Sequence, residues 1–172
     1  MADKVSDTAS NDRSGNSGDA SSGVGVAIPS WPFWKHKALG EMTRAEWESL
    51  CDGCAKCCLA KLQDVDSDAL VFTNVACRLL DLDTCRCKNY AKRRRYVPTC
   101  ERLTPANVAA FDWLPSTCAY RLIAEGKDLP RWHHLVSGDP DLVHRGGHSV
   151  CGKVVSETEA GPIEHHIVDW PR

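Results

Sequence analysis

The sequence predicts a small α+β domain, rich in loops and organised around a cluster of cysteines. Three observations carry that expectation. Ten cysteines occur in 172 residues, and eight of them fall between Cys51 and Cys100. Helix start and stop signals recur at short intervals, so the helices they bound are short. Short segments with strand character lie at residues 69–74 and again in the last third of the chain.

The size supports a single folded unit. Apolar residues make up 42% of the chain without its 12 glycines, which approaches the composition of soluble globular proteins. A domain of about 150 residues buries roughly two-thirds of its unfolded surface. A metal site here would add to a hydrophobic core, unlike in a zinc finger, where the metal supplies nearly all the stability.

Residues 1–28 are rich in Ser, Gly, Asp and Asn and hold almost no large apolar side chain, so they read as a disordered tail. The metal-binding domain is expected over 29–172, anchored at its edge by Trp31, Phe33 and Trp34. Thr43 and Glu46 have the spacing of a capping box, which predicts a helix carrying Trp47 and Leu50 inward and delivering the chain to Cys51. Asp52 and Gly53 then break it. Residues 69–74 read as a strand or buried extended segment. Thr104 followed by Pro105 predicts a helix over 107–113. Ser116 after Pro115 predicts another running to Glu125, with Gly126 as its left-handed stop. Ala119, Leu122 and Ile123 share a face of that helix, and Cys118 adjoins Leu122. Val150, Gly152, Val154, Ile167 and Val168 suggest short β segments, with a turn at Gly161 and Pro162.

No apolar run approaches the roughly 18 residues needed to span a bilayer. The N-terminal segment mixes acids with bases and lacks an apolar centre, so it does not read as a secretory signal. The expected compartment is the cytoplasm, where thiols stay reduced. A cysteine-rich chain there reads as metal-binding rather than as a disulfide framework. The net charge of −2 gives no global argument for nucleic acid or an anionic membrane.

Cys51, Cys54, Cys57 and Cys58 form the central motif. Two-residue spacing lets a tight turn point successive thiolates at one ion, in zinc sites and iron–sulfur loops alike. Gly53 suits such a turn, and Lys56 adds a cation that favours thiolate. Cys57 and Cys58 point to opposite faces if the chain is extended, so they are expected to serve different sites or to divide between ligand and packing. Cys77, Cys85, Cys87 and Cys100 supply a second set of donors, enough for two four-thiolate sites or one multinuclear centre. Cys118 is as consistent with a small buried hydrophobe as with a ligand, and Cys151 reads as structural. The seven histidines lack ligand spacing, though His133 or His144 could approach the cluster in space.

At these residues the chain resembles a known family. The run 51–58 resembles the C-x-x-C-x-x-C-C signature of the YkgJ-type cysteine-cluster proteins. Thr73 to Leu80, Cys85 to Arg93 and Pro98 to Cys100 resemble the rest of that domain. The segments 111–122 and 125–135 resemble its bacterial YcgN branch. The likeness runs from about Trp34 to Pro171. It implies zinc or iron chelation and no particular reaction. Flagellin lysine methylases carry a similar cluster in a larger chain, but no S-adenosylmethionine-type glycine loop occurs here, so that activity does not carry over. Arg93 matches the family pattern after the tyrosine, whereas Arg94 stands where a proline is usual.

Arg86, Lys88, Lys92, Arg93, Arg94 and Arg95, flanked by Tyr90 and Tyr96, form a basic patch. It would suit a phosphate or RNA contact, or it would neutralise a thiolate cluster. Asp64, Asp66 and Asp68 lack the glycine and distal glutamate of a calcium loop and read as a solvated acidic turn. The reading that emerges is a cytosolic metal-binding protein with a zinc or iron–sulfur site, structural or metal-handling in role. The alternatives are an iron-dependent redox or group-transfer enzyme and an RNA-associated module using residues 86–95.

Overall fold

The structure is a computed structural model that describes residues 32–172. The segment 1–28 and Trp31 lie outside the described residues. The α+β expectation holds. Among the described residues there are five helices of four to six residues and a four-stranded sheet, joined by loops and 3-10 turns. Among the described residues no helix is long and apolar enough to cross a membrane.

Helix α1 (Arg44–Ser49) begins at the expected capping box. The Thr43 hydroxyl accepts from the Glu46 amide at 3.2 Å, and the Glu46 carboxylate accepts from the Thr43 amide at 2.8 Å. That reciprocal pair satisfies two of the amides that a helix start leaves open. The helix buries Trp47, and Leu50 behind it is fully enclosed. Helices α2 (Arg93–Tyr96), α4 (His134–Ser137) and α5 (Leu142–Arg145) are single turns.

Helix α3 (Ala119–Ala124) ends as expected and starts later than expected. Gly126 is left-handed, at φ +70°. Its amide donates to Ile123 and that of Lys127 donates to Leu122, the paired bonds of a Schellman stop. At the other end the Cys118 amide donates to the Pro115 carbonyl. That turn uses up Ser116 and makes Cys118 the N-cap. The helix expected over 107–113 does not form. The Asn107 side chain accepts from the Thr104 amide at 2.7 Å and donates to the Arg102 carbonyl. What forms instead is a 3-10 turn, Val108–Ala110.

Strand β2 (Leu70–Ala76) is the sheet's axis. Strand β1 (Leu59–Gln63) pairs with it antiparallel, with an irregularity between Leu59 and Lys61. On its other edge lie two short strands from the C-terminal end of the chain. Strand β3 (Val155–Ser156) runs parallel beside Val75 and Ala76. Strand β4 (Ile167–Val168) runs antiparallel beside Phe72 and Thr73.

Two cores result. A helical core gathers Phe33, Met42, Trp47, Leu50, Val108, Leu114, Ala119, Tyr120 and Leu129. A sheet-side core gathers Ala55, Leu59, Phe72, Ala76, Leu80, Cys85 and Val150. Leu50 belongs to the first and Ala55 to the second. The residues between them, which begin the cysteine motif, therefore run from one core to the other.

Candidate metal centre

The motif is shaped by its backbone. Gly53 and Ala55 are both left-handed, at φ +77° and +58°. For Ala55 that conformation costs on the order of 1 kcal/mol, held in place by its burial in the sheet-side core. Asp52 Oδ1 accepts from the Cys54 amide at 2.9 Å and closes the first turn. A side chain at Gly53 would meet the Arg86 guanidinium at 3.4 Å, so glycine serves both the turn and the close approach of a cation. Lys56–Cys58 form a 3-10 turn. The expectation that Cys57 and Cys58 diverge along an extended chain is therefore corrected: they sit in a turn, with their thiols adjacent. The contact with Cys58 holds the Cys57 thiol below its ordinary value and pushes Cys58 up.

The two thiols nevertheless look to different neighbours. Cys51, Cys54 and Cys57 lie within electrostatic reach of one another, and Cys118 joins Cys51 and Cys57. Loss of water raises Cys118 to about 11 and raises Cys54 as well, while Cys51 and Cys57 lie at the surface. Cys58 feels Cys57 first and, beyond it, Cys77 and Cys100. Cys77, raised chiefly by burial, feels Cys100 and Cys87. The Cys77 amide donates to the Cys58 carbonyl at 3.0 Å, while Cys87 forms a β-bridge with Leu80 and the Cys100 amide donates to Val97. Cys51, Cys54, Cys57, Cys58, Cys77, Cys87, Cys100 and Cys118 are all free thiols.

Cys85 departs from the set in which the sequence places it. It is left-handed at φ +53° and buried in the sheet-side core, and that turn carries its sulfur to Cys151 in a disulfide. One disulfide thus exists in a chain whose cysteines otherwise remain thiols. Cys151 lies in a turn and not in a strand, with His144 Nδ1 3.3 Å from its sulfur. His133 is fully buried and internally committed. Its Nε2 lies 3.0 Å from the Leu50 carbonyl and its Nδ1 accepts from the Leu135 amide at 3.1 Å. Burial lowers its pKa, so it is a neutral strut of the fold.

Charge surrounds the thiols in a pattern the sequence suggested only in part. Asp52 is buried, and its Oδ2 is a buried side-chain oxygen without a hydrogen-bond partner. Its charge reaches Cys51, Cys54, Cys57 and Cys118. Lys61, over the ring of Trp113 at 4.3 Å, is the cation felt by Cys57. Lys56 is buried and donates to the Thr117 hydroxyl at 3.3 Å, one residue from Cys118. In the basic patch, Arg86 packs on the motif loop and Arg93 stacks on Tyr90 at 4.0 Å. The Tyr90 hydroxyl donates to Glu48 at 2.7 Å. The acidic turn satisfies itself: Asp64 Oδ1 accepts from the Ser67 amide and hydroxyl. Asp52 was the residue sequence reading missed, and its signal was an Asp-Gly pair inside the first C-x-x-C.

The model of the CxxCxxCC family, described as a "Putative zinc- or iron-chelating domain", matches residues 50–119. A UPF0260 protein of Gluconacetobacter diazotrophicus is 62% identical over 140 residues, covering 81% of this chain and 88% of its own. The chain belongs to the UPF0260 family. A UPF0260 protein of Rhizorhabdus wittichii is 64% identical over 138 residues, covering 80% of this chain and 94% of its own. One from Ectopseudomonas mendocina is 55% identical over 145 residues, covering 83% and 97%. No solved structure matches the chain. The donors of this UPF0260 protein fit zinc or iron on chemical grounds, because thiolates are the ligands these metals take in closed sites. The unpartnered Asp52 Oδ2 agrees, since a buried carboxylate oxygen left alone costs about 1–3 kcal/mol or more unless a cation or donor meets it.

Proposed function

We propose that the protein binds metal in two four-thiolate sets, Cys51, Cys54, Cys57 and Cys118 in one and Cys58, Cys77, Cys87 and Cys100 in the other, with a structural or metal-handling role. What supports this reading is the way the thiols act on one another electrostatically: Cys51, Cys54 and Cys57 do so mutually and Cys118 with Cys51 and Cys57, while Cys77 acts with Cys58, Cys87 and Cys100, and the Cys57–Cys58 contact joins the two sets. Each group would hold a zinc ion or an iron–sulfur cluster. Burial pushes several of these thiols up, and a metal reverses that by binding the thiolate. Lys61 and Arg86 offset part of the negative charge that four thiolates bring.

An enzyme reading draws less support, because the 480 Å³ cleft lined by Trp34, Lys37, Leu39, Ile123, Lys127 and Asp128 has no cysteine in its wall. An RNA reading draws less as well, because Arg93 stacks on Tyr90 and donates to its carbonyl and Arg86 lies against the motif loop at Gly53. Elemental analysis with an absorption spectrum of anaerobically purified protein tests the proposal. Two zinc ions per chain in colourless protein, or iron with matching acid-labile sulfide and a brown colour, is the expected result. Protein that carries neither metal after anaerobic purification and cannot be loaded with either overturns it.

A further inference from the structure

A third donor group is built from residues outside the two proposed thiol sets. Among the described residues, Cys85 Sγ, Cys151 Sγ and a His144 ring nitrogen lie within 4.8 Å of one another. Two turns and a helix end bring them together. Cys85 follows a turn in which Asp81 Oδ1 accepts from both the amide and the hydroxyl of Thr84, at 2.9 Å each. Cys151 follows Val150, whose amide donates to the Cys54 carbonyl at 3.0 Å, and precedes the left-handed Gly152. His144 sits in the last turn of α5. The Cα atoms of Cys85 and Cys151 are 5.8 Å apart, and His144 Nδ1 lies 3.3 Å from Cys151 Sγ. His144 and Cys151 both lie beyond residues 50–119, the part the CxxCxxCC family model matches.

We propose that Cys85, Cys151 and His144 form a redox-gated site for a thiophilic divalent cation such as Zn2+. In the oxidised protein the two cysteines form the disulfide. A dithiol reductant breaks that S–S bond: it gives up two electrons and two protons, becomes its own cyclic disulfide, and leaves two cysteine thiols. Zn2+ then binds both sulfurs as thiolates with release of two protons, and the His144 imidazole is the third ligand through Nδ1. Two sulfurs and one imidazole leave a fourth position for water or a small ligand, the pattern of an exchangeable zinc site. Cys85 is buried while His144 and Cys151 are partly exposed, so the exchangeable side faces the surface. The reverse step releases the ion when an oxidant of the disulfide class reforms the bond.

The test is site-resolved alkylation of the full chain. The protein is reduced with a dithiol, freed of metal and reductant without air, and treated with iodoacetamide with and without added Zn2+. Modification at each cysteine is then read by peptide mass spectrometry. Zinc is expected to slow alkylation of Cys151 at least tenfold. His144→Ala should reduce that protection several-fold while leaving the protection of Cys54 and Cys77 unchanged. Equal Cys151 rates with and without zinc overturn the proposal. So does a Cys85–Cys151 disulfide that survives the dithiol in otherwise native protein, or protection that His144→Ala leaves intact. Loss of protection at Cys54 and Cys77 in the native chain would instead count against the two four-thiolate sets.

Discussion

The two proposed four-thiol groups draw on the fold in opposite ways. Cys51, Cys54 and Cys57 are set by local backbone geometry, through an Asx turn, two left-handed residues and a 3-10 turn. One long-range member, Cys118, comes in on the turn before α3. Cys58, Cys77, Cys87 and Cys100 come from four separate places: the end of that turn, the end of β2, the Leu80 bridge and the loop after α2. The first group is shaped mainly by its own loop, which the sheet-side core then holds through Ala55 and the Val150–Cys54 hydrogen bond. The second exists only once the sheet has formed. Local sequence therefore specifies the first, and tertiary packing specifies the second.

Removing the lone long-range member of the first group should have the largest effect. Cys118→Ser is expected to remove as much bound metal as Cys54→Ser, measured by elemental analysis, and to spare the second group. Retention of full metal by Cys118→Ser would dissolve the division. Next in size is Phe72→Ala, which removes a buried ring from β2 and should cost about 3–5 kcal/mol in urea unfolding. On partial denaturation, Cys77 should become alkylated at lower urea than Cys54. The reverse order would mean that the second group does not depend on the sheet.

Thr43→Ala should cost about 1 kcal/mol, read from the same urea curves, by removing one half of the α1 cap. Its effect should fall on the helical core and the Cys51 loop. The smallest effect concerns acid. The Lys37 ammonium, at 2.6 Å, and the Thr43 amide hold the Glu46 carboxyl below its unperturbed value of 4.5. The folded state thus binds this proton less tightly than the unfolded chain. The resulting stabilisation is present above pH 4.5 and fades as pH falls through the depressed folded value. Between about pH 5 and about pH 3, urea midpoints of the native protein should therefore fall more than those of Glu46→Gln.

Much of the first group was readable from the chain because its signals are local. Thr43 with Glu46, Gly53 between cysteines and Gly126 after α3 each act within a few residues, and each does what its spacing predicts. The helix expected over 107–113 is replaced by a 3-10 turn that stops at Phe111, whose backbone leaves the helical region at φ −103° and ψ 76°. Ser116 lost its capping role to the Pro115–Cys118 turn. Strand β1 escaped notice because one of its five residues is buried, so no alternation marks it. The partners of Cys85 and Cys118 were not readable at all. Spacing put Cys85 with Cys77 and Cys87, but its left-handed backbone turns it toward a residue 66 positions away. No local pattern reports a contact at that range.

The hydrogen bond from the Val150 amide to the Cys54 carbonyl, and the two C-terminal strands laid along β2, bear on when the protein can mature. During synthesis the motif emerges about a hundred residues before the segment that pins it, and β2 stays half-paired until residues 155–168 appear. Contacts of that separation form late because the intervening loop must close first. The nascent chain would expose a run of free thiols through most of its translation. Loading of the proposed sites is therefore expected only after residues 150–168 have emerged, and a chain truncated before Val150 should be the form most easily mismetallated or oxidised.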